Sequence, residues 1–431
     1  MAGPLSFKDR LKTRVKLRLA GDDLESLVTN RARGRIRWLA KYHEDEVLRF
    51  RALRNLAELL DPDSEDLFFE ILAAQPGDLP PQVMCAAADA VGRLLHGDAL
   101  GPLQKLLRDN RPVSVCMAAA RALARLERPE GWAAIRKWVE AAGEGAVPLL
   151  TDERDVLDPR KREPAGSAEL AWVLAPLYAD KDGRWLGSKS SNWLKSDKVL
   201  PRMSSDKGSD KIVAQTLRLS LEKKTFEDDE FIQRVIRLGT LSRERDGDLL
   251  LDLLHKAPEG PRRQAVLMAI GLQADPRSRT ALEQELEAIP DDAPERAADV
   301  IRALGRLGWE EAAPAIGRAR NRFTSPVVRT NAAWSLGEVG GEQAVSLMCA
   351  WVRGKSGGSA DGAAEQRLDD AEMATEQELQ TIGRALQRTG NLGREAIRGA
   401  VTIAKAGRGE RKRWNLVAQV AGVAGANSGS Y

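Results

Sequence analysis

The sequence predicts an all-α chain, an α-solenoid of stacked antiparallel helix pairs, and three observations predict it. Long stretches are rich in Ala, Leu, Arg and Glu while only seven Phe and three Tyr occur in 431 residues, a composition that favours helix over strand. Ala87-Ala88-Asp89-Ala90-Val91-Gly92-Arg93-Leu94 aligns with Ala119-Ala120-Arg121-Ala122-Leu123-Ala124-Arg125-Leu126 at an offset of 32. The pairs Leu238-Gly239, Ile270-Gly271, Leu304-Gly305 and Leu336-Gly337 then follow one another at offsets of 32, 34 and 32. A sustained period of this length marks a repeat architecture. An earlier copy, Leu56-Ala57, stands 35 residues before Val91-Gly92.

Each unit has the same internal grammar. A first apolar-periodic segment, Arg296 to Leu304, runs into Gly305-Arg306-Leu307-Gly308, where glycine suits a helix C-cap. A second segment places Ala312, Ala315, Ile316 and Ala319 at i, i+3, i+4 and i+7, one face of a second helix. The next unit opens at Ser325-Pro326, an N-cap residue followed by proline at the first helical position. The small residues of the first helix let its neighbour approach closely. One pair cannot bury its own apolar face, so stability must come from stacking along the repeat axis.

These residues resemble the HEAT family, in particular the bacterial HEAT-like repeats of the phycobilisome-lyase type. The carriers are Ala119-Ala120-Arg121-Ala122-Leu123, Ile301-Arg302-Ala303-Leu304-Gly305, and Val328 to Gly337 followed by Gly341-Glu342-Gln343-Ala344. The resemblance is strongest over 82–142 and 262–352 and fainter over 44–75 and 215–257. It implies a right-handed stack of helix pairs used mostly as a binding surface.

In chain order, residues 1–23 read as a basic N-terminal arm, 24–142 as an N-terminal HEAT-like block, and 143–214 as an irregular insertion with an exposed loop. Residues 215–353 form a central HEAT-like block, 354–375 a Gly/Ser/Ala linker and lead-in, and 376–431 C-terminal helices with a basic tail. The insertion and the linker break the ladder, because Thr151 to Gly166, Asp180 to Lys211 and Gly354 to Ala364 are rich in turn-forming and polar residues with little periodicity.

Several chemistries are excluded in turn. The chain has only His43, His96 and His255, far apart, too few for a histidine-rich metal centre or a Ser-His-Asp arrangement. HEAT-type iron hydroxylases use several His-Glu dipeptides; this chain has one, His43-Glu44. Gly183-Arg184-Trp185-Leu186-Gly187-Ser188-Lys189 has three residues between its glycines and a serine before the lysine, whereas a phosphate cradle needs four residues and an adjacent lysine. No catalytic residue, metal ligand, cofactor or small-molecule substrate is therefore expected, and bilin-lyase activity does not carry over. Three scattered cysteines, Cys85, Cys116 and Cys349, argue against a disulfide framework. With no secretory pattern in Met1 to Arg18 and no run of apolar residues long enough to span a bilayer, they place the chain in the cytoplasm.

Charge is uneven. Residues 1–60 hold 14 Lys and Arg against 8 Asp and Glu, residues 376–431 hold 9 against 4, and the repeat body between them is net acidic. Lys8, Arg10, Lys12, Arg14, Lys16 and Arg18 alternate with apolar residues, the pattern of an extended arm. Arg31, Arg33, Arg35 and Arg37 form a second basic group. Both groups suit an anionic partner, and equally the polar cap that a solenoid end requires. The arm lacks the aromatic face of a membrane-lying helix, so membrane binding is not expected.

The primary expectation is a non-enzymatic scaffold or adaptor that grips another protein on a concave face lined by second helices. Polar second-helix positions supply the candidates: Gln104, Lys105, Arg108, Arg136, Lys137, Glu283, Glu287, Arg318 and Arg322. Trp185 and Trp193, in the insertion loop, are candidate partner anchors or covers for a repeat end; Trp132, Trp138, Trp309, Trp334 and Trp351 read as packing between layers. The alternative is a nucleic-acid binder using the basic termini, as HEAT-like DNA glycosylases cradle duplexes, and the net-acidic body weighs against it.

Overall fold

The computed structural model describes residues 24–141, 217–355 and 373–423, apart from breaks at 30–31, 60, 95, 109–110, 127, 223–225, 241–245 and 404–407. The basic arm and nearly all of the insertion and linker lie outside the described residues. Every regular element among the described residues is helical. The N-terminal block holds α1 (Leu24–Thr29), α2 (Arg33–Tyr42), α3 (Glu46–Glu58), α4 (Glu65–Leu72), α5 (Pro81–Leu94), α6 (Leu100–Arg108), α7 (Val113–Arg125) and α8 (Pro129–Ala141). After the insertion come α9 (Asp228–Thr240), α10 (Gly247–Lys256), α11 (Pro261–Gln273), α12 (Ser278–Ala288), α13 (Pro294–Leu307) and α14 (Ala313–Arg322). They are followed by α15 (Pro326–Val339), α16 (Gly341–Arg353), α17 (Glu376–Arg388), α18 (Asn391–Ile403) and α19 (Arg408–Val420).

First helices stack on first helices: α3 on α5 on α7 in the N-terminal block, and α9, α11, α13, α15, α17 and α19 in succession in the second. The ladder glycines make this possible. A Cβ on Gly92 would lie 2.7 Å from Ala122 Cα, one on Gly239 2.6 Å from Ala269 Cα, one on Gly305 2.6 Å from Ser335 Cβ, and one on Gly337 2.7 Å from Ala385 Cα. In the first three of these contacts the contacted residue lies 30 positions further on, whereas a Cβ on Gly271 would meet Arg306, 35 positions further on. The same contact continues from α15 to α17, so the stack runs on past the linker.

Within Gly305-Arg306-Leu307-Gly308, where the sequence places the helix end, Gly305 stays helical and the C-cap of α13 is Gly308 at φ 68°. Gly354 ends α16 in the same left-handed conformation, and Ala274 adopts it after α11 without being glycine. Proline opens α11, α13 and α15, where its missing N–H costs nothing. Ser325 occupies the N-cap position of α15, but its side chain makes no capping bond.

The core is a string of Ala, Leu, Ile and Val from these interlocking rows, closed by Trp309, Trp334, Trp351 and Trp414, all buried. The packing role expected for Trp309, Trp334 and Trp351 is therefore seen; Trp138 is half-buried against the same core, and the Trp132 side chain lies outside the described residues.

Across the insertion the two blocks meet. Phe50 of α3 sits edge-on to Trp309 with ring centroids 5.3 Å apart. Gln82 of α5 donates to the Arg306 carbonyl at 3.0 Å. The first turn of α7 meets the last turn of α15. Val328 to Val339 of α15 are all buried, and so are Val115 to Arg125 of α7. A first helix is flanked by its two stacked neighbours and backed by second helices, so full burial means that its last face is covered by the other block.

Candidate functional site

Two surfaces could carry function: the row of second helices, open to solvent, and the seam where the blocks meet. On the open row, Lys105, Lys137, Glu287, Arg318 and Arg322 are exposed, and Gln104 and Glu283 are half-buried. Several of these residues bridge one repeat to the next. Arg318 lies 3.4 Å from Glu287. Arg322 pairs with Asp291 at 2.6 Å and donates to the Glu287 and Ile289 carbonyls. Gln104 donates to the Glu130 carbonyl at 3.0 Å. Glu283 takes Arg279 of its own helix at 3.4 Å. The side chains of Arg108 and Arg136 lie outside the described residues, as do Trp185, Trp193, Arg31 and the arm residues Lys8, Arg10, Lys12, Arg14, Lys16 and Arg18.

The second basic group sits on α2 and faces acids of its own block. Arg37 pairs with Asp63 at 2.6 Å and Asp61 at 3.4 Å, and Arg33 reaches Asp61 at 3.6 Å. The hydrogen bond that Arg37 donates to Asp63 holds its guanidinium above its ordinary pKa. Lys41 pairs with Glu70 at 2.7 Å, while Arg35 is exposed. Arg33 and Arg37 thus meet an internal counter-charge first.

The seam is built from charges that sequence patterning marks as surface residues. Glu338, fully buried near the end of α15, accepts from the backbone N–H groups of Val113 at 2.8 Å and Ser114 at 2.9 Å. It is the remote N-cap of α7, whose own N-cap position is Pro112, a residue with no side-chain acceptor. Arg388 of α17 stands 3.4 Å from the same carboxylate. Burial lowers the Arg388 pKa and Glu338 opposes that shift. Behind this contact, Asp89 and Arg121 pair at 3.0 Å, and they are the residues that align at the 32-residue offset. A second buried cluster locks α17 in place: Glu378 takes Arg320 at 2.9 Å and Arg329 at 3.7 Å, and Thr375 caps the Glu378 N–H.

Between the blocks the seam leaves a cleft lined by residues from α3, α5, α7, α11, α13 and α15. Cys85 is among them. Burial, with Asp89 and Glu338 adding to it, pushes its thiol far up, which keeps it protonated. Burial pushes the Cys349 thiol up to about 11. Neither is poised as a nucleophile. All three cysteines are free. Among the described residues no cluster of His, Cys, Asp and Glu has a metal-binding arrangement, and no helix is long and apolar enough to cross a membrane.

Residues 280–369, spanning α12 to α16 and beyond, match the family model for HEAT repeats. No curated protein matches the chain at a significant level. HEAT repeats generally serve as helical scaffolds for interactions rather than as catalysts.

Proposed function

We propose that this HEAT-repeat protein is a non-enzymatic cytoplasmic scaffold that binds another protein along its row of second helices. The observation that carries the reading is the division of labour between the two rows. First helices spend their surface on one another and on the opposing block, whereas second helices keep one charged face in solvent. An extended row of repeating surface is what a solenoid offers a partner. Lys105 and Lys137, exposed on successive second helices of the N-terminal block, are the first contacts to examine, followed by Glu287, Arg318 and Arg322 in the second block.

Affinity capture from the native host with quantitative mass spectrometry tests this, comparing the wild-type chain with a Lys105→Glu, Lys137→Glu double variant. Loss of the enriched partner at unchanged melting temperature supports the reading. Identical partner recovery from the double variant and from an Arg318→Glu, Arg322→Glu variant contradicts it. A parallel anisotropy titration with duplex and single-stranded oligonucleotides at two salt concentrations separates a nucleic-acid role, which would show a steep loss of affinity with salt.

A further inference from the structure

We infer that the part of the second-helix row formed by α16 and α18, together with the start of α19, binds an acidic segment of a protein partner, one with several Asp or Glu residues close together. The inference rests on the reading that the row receives a protein. The distribution of paired charge is the first support. Every Lys and Arg of α10, α12 and α14 has an acidic partner: Lys256 with Asp252, Arg279 with Glu283, Arg318 with Glu287, Arg320 with Glu378 and Arg322 with Asp291. The pattern stops at α16. Arg353, Arg394, Arg398, Arg411 and Lys412 are all exposed, and among the described residues none of them is in an ion pair. Residues 391–423 carry seven Lys and Arg against two Asp and Glu, so this part of the row lacks the acids that neutralise the cations of α10 to α14. The basic group on α2 differs in the same way, since Arg33, Arg37 and Lys41 meet Asp61, Asp63 and Glu70.

The second support is convergence. Helix α18 lies beside α16, and α19 packs on both. Arg413, near the start of α19, donates to the Val352 carbonyl in the last turn of α16 at 2.6 Å, which brings the opening turns of α19 to the end of α16, where Arg353 stands. Arg398 lies in the second half of α18, and Arg394 continues its stripe one turn back. Cations toward the ends of α16 and α18 suit those helices, whose C-termini are the negative poles. Arg411 and Lys412 do not: they occupy the opening turns of α19, the pole that favours acids, so the fold gains nothing from their sign. A solvated helix face needs polar residues, not residues of one charge. Among the described residues of α16, α18 and α19 no large apolar side chain is exposed, so the contact is electrostatic rather than a hydrophobic anchor. A short acidic segment meets this patch alone, whereas a long nucleic acid must also pass the net-acidic repeat body, which repels phosphates.

The test uses the full chain and fluorescein-labelled decaglutamate as the probe, followed by anisotropy. The expected result is saturable binding that weakens steeply with salt and falls by about tenfold or more in an Arg398→Glu, Arg411→Glu, Lys412→Glu variant. The Lys105→Glu, Lys137→Glu variant should lose less than about twofold. Melting curves establish that the variants are folded, and an Arg398→Ala, Lys412→Ala variant gives a milder loss if the reversals disturb folding. Probe binding unchanged in the folded triple variant overturns the inference, as does an equal loss in the Lys105→Glu, Lys137→Glu variant. Displacement by a short DNA duplex more effectively, per unit charge, than by unlabelled decaglutamate overturns it in favour of nucleic acid. Failure of the probe to bind, while a partner is still captured through Lys105 and Lys137, overturns this inference and leaves the protein-binding reading of the row standing.

Discussion

Helices α14 and α15 are neighbours in the same stretch of HEAT repeats, and they divide their polar residues differently. In α14, Arg318 and Arg322 reach into solvent and pair across the surface with Glu287 and Asp291 of the preceding repeat, and Arg320 alone of its three arginines is buried, against Glu378. In α15, Arg329, Thr330, Asn331, Ser335 and Glu338 are all buried. The difference lies in what each row faces. Second helices face water, where an ion pair is screened and worth little. First helices face another protein layer, where every charge must find a partner or destabilise the fold. The N-terminal block supplies part of that layer, so the polar residues of α15 are the joinery of the molecule rather than its wetted surface.

The largest expected effect breaks that joinery. Glu338→Ala leaves Arg388 facing a lost counter-charge and two α7 amides uncapped, and should cost about 3–5 kcal/mol in urea-unfolding free energy. The next effect sharpens the contrast by reversing a sign. Alanine in place of a helical glycine ordinarily stabilises by about 1 kcal/mol. Gly92→Ala, whose Cβ would meet Ala122 at 2.7–2.8 Å, should instead destabilise by about 1–3 kcal/mol through overpacking. Gly399→Ala in α18, with open space around the new Cβ, should stabilise by up to about 1 kcal/mol, read as a higher melting temperature. The smallest effect belongs to the open row: Arg318→Ala should change stability by less than about 0.5 kcal/mol.

The repeat was legible in the sequence because its signals are local. Spacing of small residues every 32 or so positions located the first helices, and the prolines and glycines located their ends. Even the Asp89–Arg121 ion pair was latent in the alignment of the first two clear repeats, since equivalent positions become neighbours when layers stack. The role of the ladder glycines was only half legible: they mark close approach between layers, while the turns fall to Gly308, Gly340 and Gly354. The seam left no readable signal. Glu338 and Val113 are 225 residues apart, and no periodicity links them. Hydropathy assigns Arg121, Arg329, Glu338 and Arg388 to solvent, because the pattern within one helix reports its neighbours in the stack and not a block folded back from elsewhere in the chain. The basic group on α2 shows the same limit: charge counting detects Arg33 and Arg37, and only the fold reveals Asp61 and Asp63 opposite them.

Amide hydrogen exchange at the start of α7 tests the seam most directly. First-turn N–H groups of a helix have no partner within it and exchange readily unless capped from elsewhere. With Glu338 accepting from them, Val113 and Ser114 should be protected in the wild-type chain and should lose that protection in a Glu338→Ala variant whose α5 and α13 amides stay slow. Rapid exchange at Val113 and Ser114 in the wild type, or protection that survives the substitution, would mean that the two blocks do not meet through this contact.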